Sequence, residues 1–266
     1  MSTESNYIKF ITTNLKIADS IAQRFLDGAV PVSVRVNANK HAVPPSEDCV
    51  AWCKYGYYLP QRPKFTLDPH FHQGRYYVQE ASSMFIGYVV NALKLNEKPI
   101  TVLDACAAPG GKSTLLLDYL HAESILISNE VIASRTGSLQ YNMAKWGNMN
   151  SIVTQSSIES FAEAGELFEL ILLDAPCSGE GMFRKDKEAL HYWSEESVKL
   201  NAARQKKLLT DAWQLLKPGG YIIYSTCTYN TYENEENILW AIENLKAENI
   251  AVKSEAEGIF PSAKKY

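Results

Sequence analysis

Residues 100–120 read ITVLDACAAPGGKSTLLLDYL: an apolar run that ends in an acid, a turn with two glycines, and apolar residues at helical spacing. A buried strand that turns tightly into a helix is a building unit of open α/β sheets. Two adjacent glycines let a ligand approach the backbone closely. In such sheets, ligands lie beyond the carboxyl ends of the strands. This stretch therefore predicts both the fold class and the place of a binding site.

The alternation of apolar strands and helices continues along the chain. Further strands are predicted at Ser124–Glu130, Ile152–Val153, Phe168–Asp174 and Tyr221–Thr226, and helices at Ser134–Trp146, from about Ser194 to Leu216, and at Glu233–Lys246. Gly147 stands where a helix commonly ends in the left-handed conformation. Buried strands that alternate with helices predict a parallel sheet covered on both faces.

The front of the chain has a different pattern. Its predicted elements are a helix through Ile17, Ile21 and Phe25, a strand at Val32–Val36, irregular structure and short hairpins over 50–77, and a helix within 79–95. The change of pattern predicts two domains, 1–78 and 79–266. Only a short strand around Ile250–Val252 follows the last predicted helix, so we expect the second domain to be truncated at its C-terminal end.

Composition limits the class of protein. Of 266 residues, 46% are hydrophobic and 21% are charged, which is typical of a packed soluble protein. No apolar run approaches the roughly 18 residues of a membrane span, and no secretory signal is recognisable near the start. Five cysteines without regular spacing argue against a disulfide framework. We therefore expect a cytoplasmic protein without membrane contact. The net charge of −4 argues against non-specific coating of nucleic acid.

The glycine turn differs from phosphate-binding loops. A P-loop has the pattern G-x-x-x-x-G-K-[ST], and its first glycine would fall at Cys106. The dinucleotide pattern G-x-G-x-x-G is also absent from the sequence of the turn. Glu130, at the end of the second strand, is in position to bind both hydroxyls of a ribose. A ribose without a phosphate site indicates an adenosine ligand such as S-adenosyl-L-methionine.

Two cysteines follow the last two strands of the predicted sheet. One strand continues into DAPCSGEG at 174–181, which contains Cys177, and the other ends in STCT at 225–228, which contains Cys227. We expect both thiols at the ligand-binding edge of the sheet. A single cysteine there is often only a small buried hydrophobe. Two cysteines, one of them close to an acid, indicate chemistry.

These two segments resemble the Nop2/Sun-type RNA (cytosine-5) methyltransferases. WCKYG at 52–56 and YVQEASSM at 77–84 are similar to the bacterial branch that modifies 16S ribosomal RNA, the methyltransferase F group. The resemblance implies a Rossmann-like class I sheet dependent on S-adenosyl-L-methionine, preceded by a small α+β N-terminal RNA-binding domain. RNA, with ribosomal RNA favoured, is the implied partner, and no obligate protein partner is implied.

The resemblance also assigns roles to residues. Carbon 5 of cytosine is a weak nucleophile, and addition of a thiolate at carbon 6 activates it. The family pattern gives this attack to Cys227 and product release to Cys177. It places Asp174 against N3 and the exocyclic amine of the base. Lys112 is also expected near the target base.

The implied cofactor site covers the glycine turn and three later positions. Its residues are Cys106, Ala107, Ala108, Pro109, Gly110, Gly111, Lys112, Glu130, Ser157 and Asp174. The family usually has an aspartate where this chain has Ser157. A hydroxyl can still form one hydrogen bond but lacks the charge, so cofactor binding is either weaker or shifted to a neighbour.

Three alternatives remain open at this point. The chain could methylate transfer RNA, it could methylate DNA with Cys177 as the nucleophile, or it could bind RNA on the same fold without catalysis. A metal site is not expected, because Cys49 and Cys53 have no second pair of ligands at suitable spacing.

Overall fold

The computed structural model describes residues 2–40 and 43–252. Its helices are α1 Thr3–Leu15, α2 Asp19–Asp27, α3 Pro69–His72, α4 Ala81–Ala92, α5 Gly111–Tyr119, α6 Ala133–Trp146, α7 Glu188–His191, α8 Glu195–Trp213 and α9 Glu235–Leu245. Its strands are β1 Val32–Val36, β2 Gly56–Leu59, β3 Tyr76–Val78, β4 Thr101–Asp104, β5 Ile125–Asn129, β6 Ser151–Thr154, β7 Phe168–Asp174 and β8 Leu216–Ser225. No helix in the described ranges is both long and apolar enough to cross a bilayer.

The strands form two sheets. In the antiparallel sheet, β1 lies between β2 and β3, with Val34 opposite Tyr57 on one side and Val78 on the other. The other sheet has five strands in the order β6-β5-β4-β7-β8, and β5 runs parallel to both β4 and β6. This topology confirms the predicted α/β class, and the antiparallel sheet confirms the α+β character of the front.

Apolar runs form the strands because both faces of the sheet are covered. In β7 the four residues from Leu170 to Leu173 are each 0% exposed, which explains why the strand reads as a continuous apolar run. The helix α6 ends at Gly147, whose φ of 84° is the left-handed conformation that the sequence predicted there. The helix α8 begins with a capping box between Ser194 and Ser197.

Three predicted elements are wrong in detail. The single front helix is two helices, because Lys16 adopts a left-handed φ of 55° and ends α1 before α2 begins. The strand predicted at Tyr221–Thr226 starts earlier, at Leu216, because the left-handed Gly219 (φ 75°) lets the extended backbone bend within the strand. Residues 250–252 form no strand. Ile250 is 49% exposed, so its side chain lacks the burial that would favour a strand of the sheet.

The contacts between residues divide the chain into two compact units. The first comprises residues 2–30, 158–167 and 171–249 and contains Cys177 and Cys227, and we call it the cysteine unit. The second comprises residues 31–40, 43–157, 168–170 and 250–252 and contains the glycine turn, and we call it the turn unit.

The core of the cysteine unit joins the start of the chain to its later part. Tyr7 of α1 and Leu26 of α2 pack in one apolar cluster with Phe183 and Trp193. The rings of Tyr7 and Phe183 meet edge to face, with their centroids 5.1 Å apart. The N-terminal helices therefore support the segment that follows Cys177.

The core of the turn unit contains a buried ion pair. Arg35 of β1 is 0% exposed and pairs with Asp118 of α5, whose side chain is also fully buried. Nη2 of Arg35 donates to Thr114 Oγ1 (2.6 Å) and to Gly111 O (3.3 Å). Burial lowers the pKa of Arg35 to about 10, which still leaves the guanidinium charged at neutral pH. Arg35 therefore ties the antiparallel sheet to the first turns of α5.

We expect Arg35→Met to lower the free energy of unfolding by about 3–5 kcal/mol, because Asp118 would remain as a buried carboxylate without its cation. Urea denaturation measures this loss. Lys207→Met is the control: Lys207 pairs with Asp211 at 2.8 Å but is 61% exposed, so its loss of stability should be much smaller. Equal losses for the two variants would contradict a structural role of the buried pair.

Candidate active site

The turn from β4 into α5 is shaped by its two glycines. Gly110 has a φ of 105°, which side-chain-bearing residues rarely adopt, and a Cβ on it would lie 3.2 Å from Leu139 Cδ1. A Cβ on Gly111 would lie 3.1 Å from Tyr77 Cε1. The left-handed φ thus favours glycine at 110, and a side chain at either position would require its neighbour to shift by a few tenths of an ångström.

The predicted turn residues lie in different environments. Ala107, Ala108 and Gly110 are buried, Cys106, Gly111 and Lys112 are half-buried, and Pro109 is exposed. The helix α5 starts at Gly111 without a side-chain cap, and Lys112 lies in its first turn. An uncapped helix start can accept an anionic group such as a carboxylate.

Glu130 follows β5 with its side chain only 3% exposed. Its Oε1 accepts a hydrogen bond from the Ile132 N–H at 2.9 Å, and its Oε2 lies 3.3 Å from Arg135 Nη1. Arg135 also donates through Nη2 to Ala108 O at 2.7 Å, so it joins Glu130 to the glycine turn. A carboxylate has about four acceptor positions. Glu130 therefore keeps acceptor capacity for hydroxyl groups, which fits the ribose of S-adenosyl-L-methionine.

Ser157 lies in the segment after β6, and Asn129 holds that segment in place. Oδ1 of Asn129 accepts from the Ser156 N–H (3.1 Å), and its Nδ2 donates to Ser156 O (2.9 Å). Asn129 is the last residue of β5 and Ser156 follows the end of β6, so these two hydrogen bonds fix the ends of the two strands to each other. Ser157 itself is half-buried.

In the cysteine unit, the two predicted thiols lie side by side. The Sγ atoms of Cys177 and Cys227 are 3.1 Å apart, and the Cys227 N–H donates to Cys177 Sγ at 3.3 Å. The Gly181 N–H donates to Cys227 O at 2.8 Å. A Cβ on Gly181 would lie 2.8 Å from that same oxygen, so only glycine allows this contact. Cys227 is exposed and Cys177 is half-buried.

Asp174 ends β7 three residues before Cys177. Its Oδ1 accepts a hydrogen bond from Ser225 Oγ at 2.7 Å, and the Ala175 N–H donates to Ser225 O at 2.8 Å. The acid and both cysteines are thus brought together at the ends of β7 and β8. The described residues contain no group of three or more His, Cys, Asp or Glu side chains that could hold a metal ion.

The two thiols differ in their chemistry. The hydrogen bond with Cys227, burial, and the charge of a Cys227 thiolate all raise the pKa of Cys177. Cys177 therefore keeps its proton at neutral pH. Its S–H can donate to the neighbouring sulfur and stabilise negative charge on Cys227. The pair thus places an exposed thiol, Cys227, beside a neighbour that keeps its proton.

Comparison with known proteins identifies the family. Residues 90–261 match the family described as 16S rRNA methyltransferase RsmB/F, and residues 7–81 match the N-terminal domain of 16S rRNA methyltransferase RsmF. The chain belongs to the RsmB/F family. This membership confirms the resemblance that the sequence motifs indicated.

Curated relatives of this RsmB/F chain carry the name ribosomal RNA small subunit methyltransferase F. The relative from Pectobacterium atrosepticum is 40% identical over 196 residues, which cover 72% of this chain and 40% of that protein. The relative from Escherichia coli O139:H28 is 40% identical over 201 residues, which cover 73% of this chain and 41% of that protein. The chain thus spans about 40% of the length of these relatives.

Solved structures support the fold of this family member. A methyltransferase homolog protein from Pyrococcus horikoshii is 28% identical with a TM-score of 0.70, over 88% of this chain and 81% of that one. NSun6 from Pyrococcus horikoshii, solved with SFG, is 17% identical with a TM-score of 0.71, over 89% of this chain and 86% of that one. These neighbours confirm the Rossmann-like methyltransferase fold. The family depends on S-adenosyl-L-methionine, as predicted.

Two residues of the candidate site were missed by the sequence analysis. Arg135 contacts both Glu130 and the turn, and Asn129 orders the segment that carries Ser157. A signal for Arg135 existed, since a cation at the start of a helix soon after a strand-end acid can reach back to it. Asn129 gave no such signal, because it stands within an otherwise ordinary strand.

We expect Ser157→Asp to tighten S-adenosyl-L-methionine binding, because a carboxylate would replace a neutral hydroxyl. A charge-assisted hydrogen bond contributes about 1.5–3 kcal/mol before desolvation, so the gain should be roughly tenfold or more in Kd. Titration calorimetry measures it, with Ser157→Ala as the neutral comparison. Unchanged or weaker binding by the aspartate variant would show that a neighbour has already taken over the contact.

We expect iodoacetamide at neutral pH to alkylate Cys227 before Cys177, because Cys227 is exposed while the raised pKa keeps Cys177 protonated. Peptide mass spectrometry resolves the two sites. In Cys227→Ala the largest cause of the raised pKa is gone, so Cys177 should react faster than it does in the unaltered protein. Alkylation of Cys177 first, or no acceleration in that variant, would contradict this assignment.

Proposed function

We propose that this chain transfers a methyl group from S-adenosyl-L-methionine to carbon 5 of a cytosine in 16S ribosomal RNA, through a covalent adduct with Cys227. The observation that carries the proposal is the pair of Sγ atoms 3.1 Å apart in the cysteine unit, with Asp174 close in sequence. The names of the curated relatives support ribosomal RNA of the small subunit as the substrate. RNA is the proposed partner, and the division into domains 1–78 and 79–266 remains a prediction.

Cys227 is the proposed nucleophile. Its thiolate adds to carbon 6 of the cytosine, and the electron pair displaced by the new C–S bond makes carbon 5 an enamine carbon. Asp174, held by the Ser225 hydroxyl, hydrogen-bonds N3 and the exocyclic amine and so stabilises the adduct. The target base has to leave its stack to reach the sulfur, so a cytosine in a loop or an open helix should react best.

Cys177 is proposed to act after the methyl group has been transferred. Once the Cys227 sulfur is bonded to carbon, it no longer accepts a hydrogen bond as an anion, and the main cause of the raised pKa of Cys177 disappears. Cys177 can then lose its proton to solvent water and, as the thiolate, take the proton from carbon 5. The electrons of that C–H bond re-form the ring double bond, and Cys227 leaves as a thiolate.

The turn unit is proposed to hold the cofactor. When bound, S-adenosyl-L-methionine supplies an electrophilic methyl group. Glu130, oriented by the Ile132 N–H and Arg135, binds the ribose hydroxyls, and residues 106–112 bind around the methionine part. Ser157 and Asp174 are proposed as further contacts. Lys112 is proposed to lie near the target base.

The two cysteines are separated by their alanine variants. Cys227→Ala should abolish both methylation and any covalent RNA adduct, because attack precedes every later step. Cys177→Ala should attack and methylate but fail to release, so protein bound to RNA accumulates. Each variant is incubated with unmodified 16S RNA and the cofactor and run on a denaturing gel. Of the two, only Cys177→Ala should give a band that disappears with ribonuclease.

The DNA-type assignment gives the opposite result in the same gel. An adduct with Cys227→Ala and none with Cys177→Ala would overturn the mechanism proposed here. Nucleoside mass spectrometry of the RNA product identifies 5-methylcytosine and locates the substrate class. Transfer RNA of the same base composition is the matched control substrate.

A further inference from the structure

Two fully buried carboxylates lie in the segments that follow Cys177 and Cys227, and the sequence analysis gave neither of them a role. Glu180 and Glu233 are each 0% exposed. Glu180 follows Cys177 by three positions and Glu233 follows Cys227 by six. Each acid thus belongs to the loop of one cysteine. A buried carboxylate is costly unless its oxygens are hydrogen-bonded, so its partners indicate why it is there.

Glu180 holds the loop of the other cysteine. Its Oε2 accepts from the N–H groups of Tyr229 (2.8 Å) and Asn230 (3.1 Å), the second and third residues after Cys227. Burial raises the pKa of Glu180, and these hydrogen bonds oppose that effect. An acid on the Cys177 loop therefore fixes the main chain that follows Cys227.

Glu233 holds the first loop in return. Its Oε2 accepts from the N–H of Ser178, the residue directly after Cys177, at 3.0 Å. The same oxygen accepts from Gln205 Nε2 of α8 at 2.8 Å, and Gln205 Nε2 also donates to Pro176 O at 2.9 Å. An acid beyond Cys227 therefore fixes the main chain on both sides of Cys177.

Asn230 links the two acids. Its Nδ2 donates to Glu180 Oε1 and to Glu233 Oε1, both at 2.9 Å, and its Oδ1 accepts from the Glu233 N–H at 3.0 Å. The two loops are thus tied crosswise, since each acid accepts hydrogen bonds from the main chain of the other cysteine's loop.

We propose that Glu180 and Glu233 are positioning residues for the two halves of the reaction: Glu180 sets Cys227 for attack, and Glu233 sets Cys177 for release. The inference rests on the proposed function for its RNA readout. A second part of the proposal can be tested without RNA: the hydrogen bonds of Glu180 and Glu233 keep the two sulfurs within contact distance.

The first experiment measures that distance chemically, without RNA or cofactor. The thiol oxidant diamide takes two hydrogens from a pair of adjacent thiols and leaves a disulfide. We expect the Cys177–Cys227 bridge, read by peptide mass spectrometry, to form on the order of 10- to 100-fold more slowly in Glu180→Gln and Glu233→Gln. Glutamine keeps the shape but turns one acceptor into a donor that faces N–H groups. Glu243→Gln, at an exposed site on α9, is the control and should match the unaltered protein.

The second experiment separates the two roles with RNA. Glu180→Gln should slow formation of the covalent adduct, whereas Glu233→Gln should form it at nearly the unaltered rate and retain it, as Cys177→Ala does. A purely structural role would instead lower attack and release together, in proportion to lost stability. Thermal unfolding of each variant supplies that comparison.

Gln205→Met is the milder variant if either glutamine variant does not fold. It removes the hydrogen bonds to Glu233 and Pro176 O and leaves both acids in place, so a smaller delay in release and in bridge formation is expected. Bridge formation at the unaltered rate in the folded variants would overturn the positioning role. If the unaltered protein forms the bridge but Cys177→Ala forms no RNA adduct, the proposed function fails while the first experiment still decides the role of the two acids.

Discussion

Two backbone hydrogen bonds on either side of the cysteine pair determine its geometry. The Ala175 N–H donates to Ser225 O and the Gly181 N–H to Cys227 O, both at 2.8 Å. The first bond keeps the ends of β7 and β8 in register, and the second closes the loop beyond Cys177. Together the two bonds help to hold the exposed Cys227 beside the half-buried Cys177.

The two compact units stabilise buried charge in different ways. In the turn unit, Arg35 and Asp118 neutralise each other, and the ion pair joins β1 to α5. In the cysteine unit, Glu180 and Glu233 are held by amide groups of backbone and side chains. A buried ion pair contributes mainly by holding its two elements in one specific arrangement. Amide donors fix the two loops without placing a cation against these carboxyl groups.

Local pattern predicted those elements whose formation depends on nearby residues. Val32–Val36 alternates valine with polar residues, Phe168–Asp174 is mostly apolar, and the sequence predicted the bounds of both strands as observed. The sequence also indicated the turn Cys106–Lys112 and the two cysteine motifs as candidate sites, because each of them is a contiguous stretch. The partners of Arg35 were not, since Thr114 lies 79 positions away in the sequence. No local pattern shows that Glu180 will meet Asn230, 50 residues later.

The packing of α1 bears on how the chain folds as it is synthesised. The side chain of Asn14 exchanges hydrogen bonds with Thr231, 217 positions later, and Phe25 stacks on Tyr229 with ring centroids 4.3 Å apart. Thr231 therefore leaves the ribosome 217 residues after Asn14. Contacts so distant in sequence form slowly. The turn unit can therefore complete its core while α1 and α2 still expose apolar faces, which makes this the stage at which a chaperone would have most to cover.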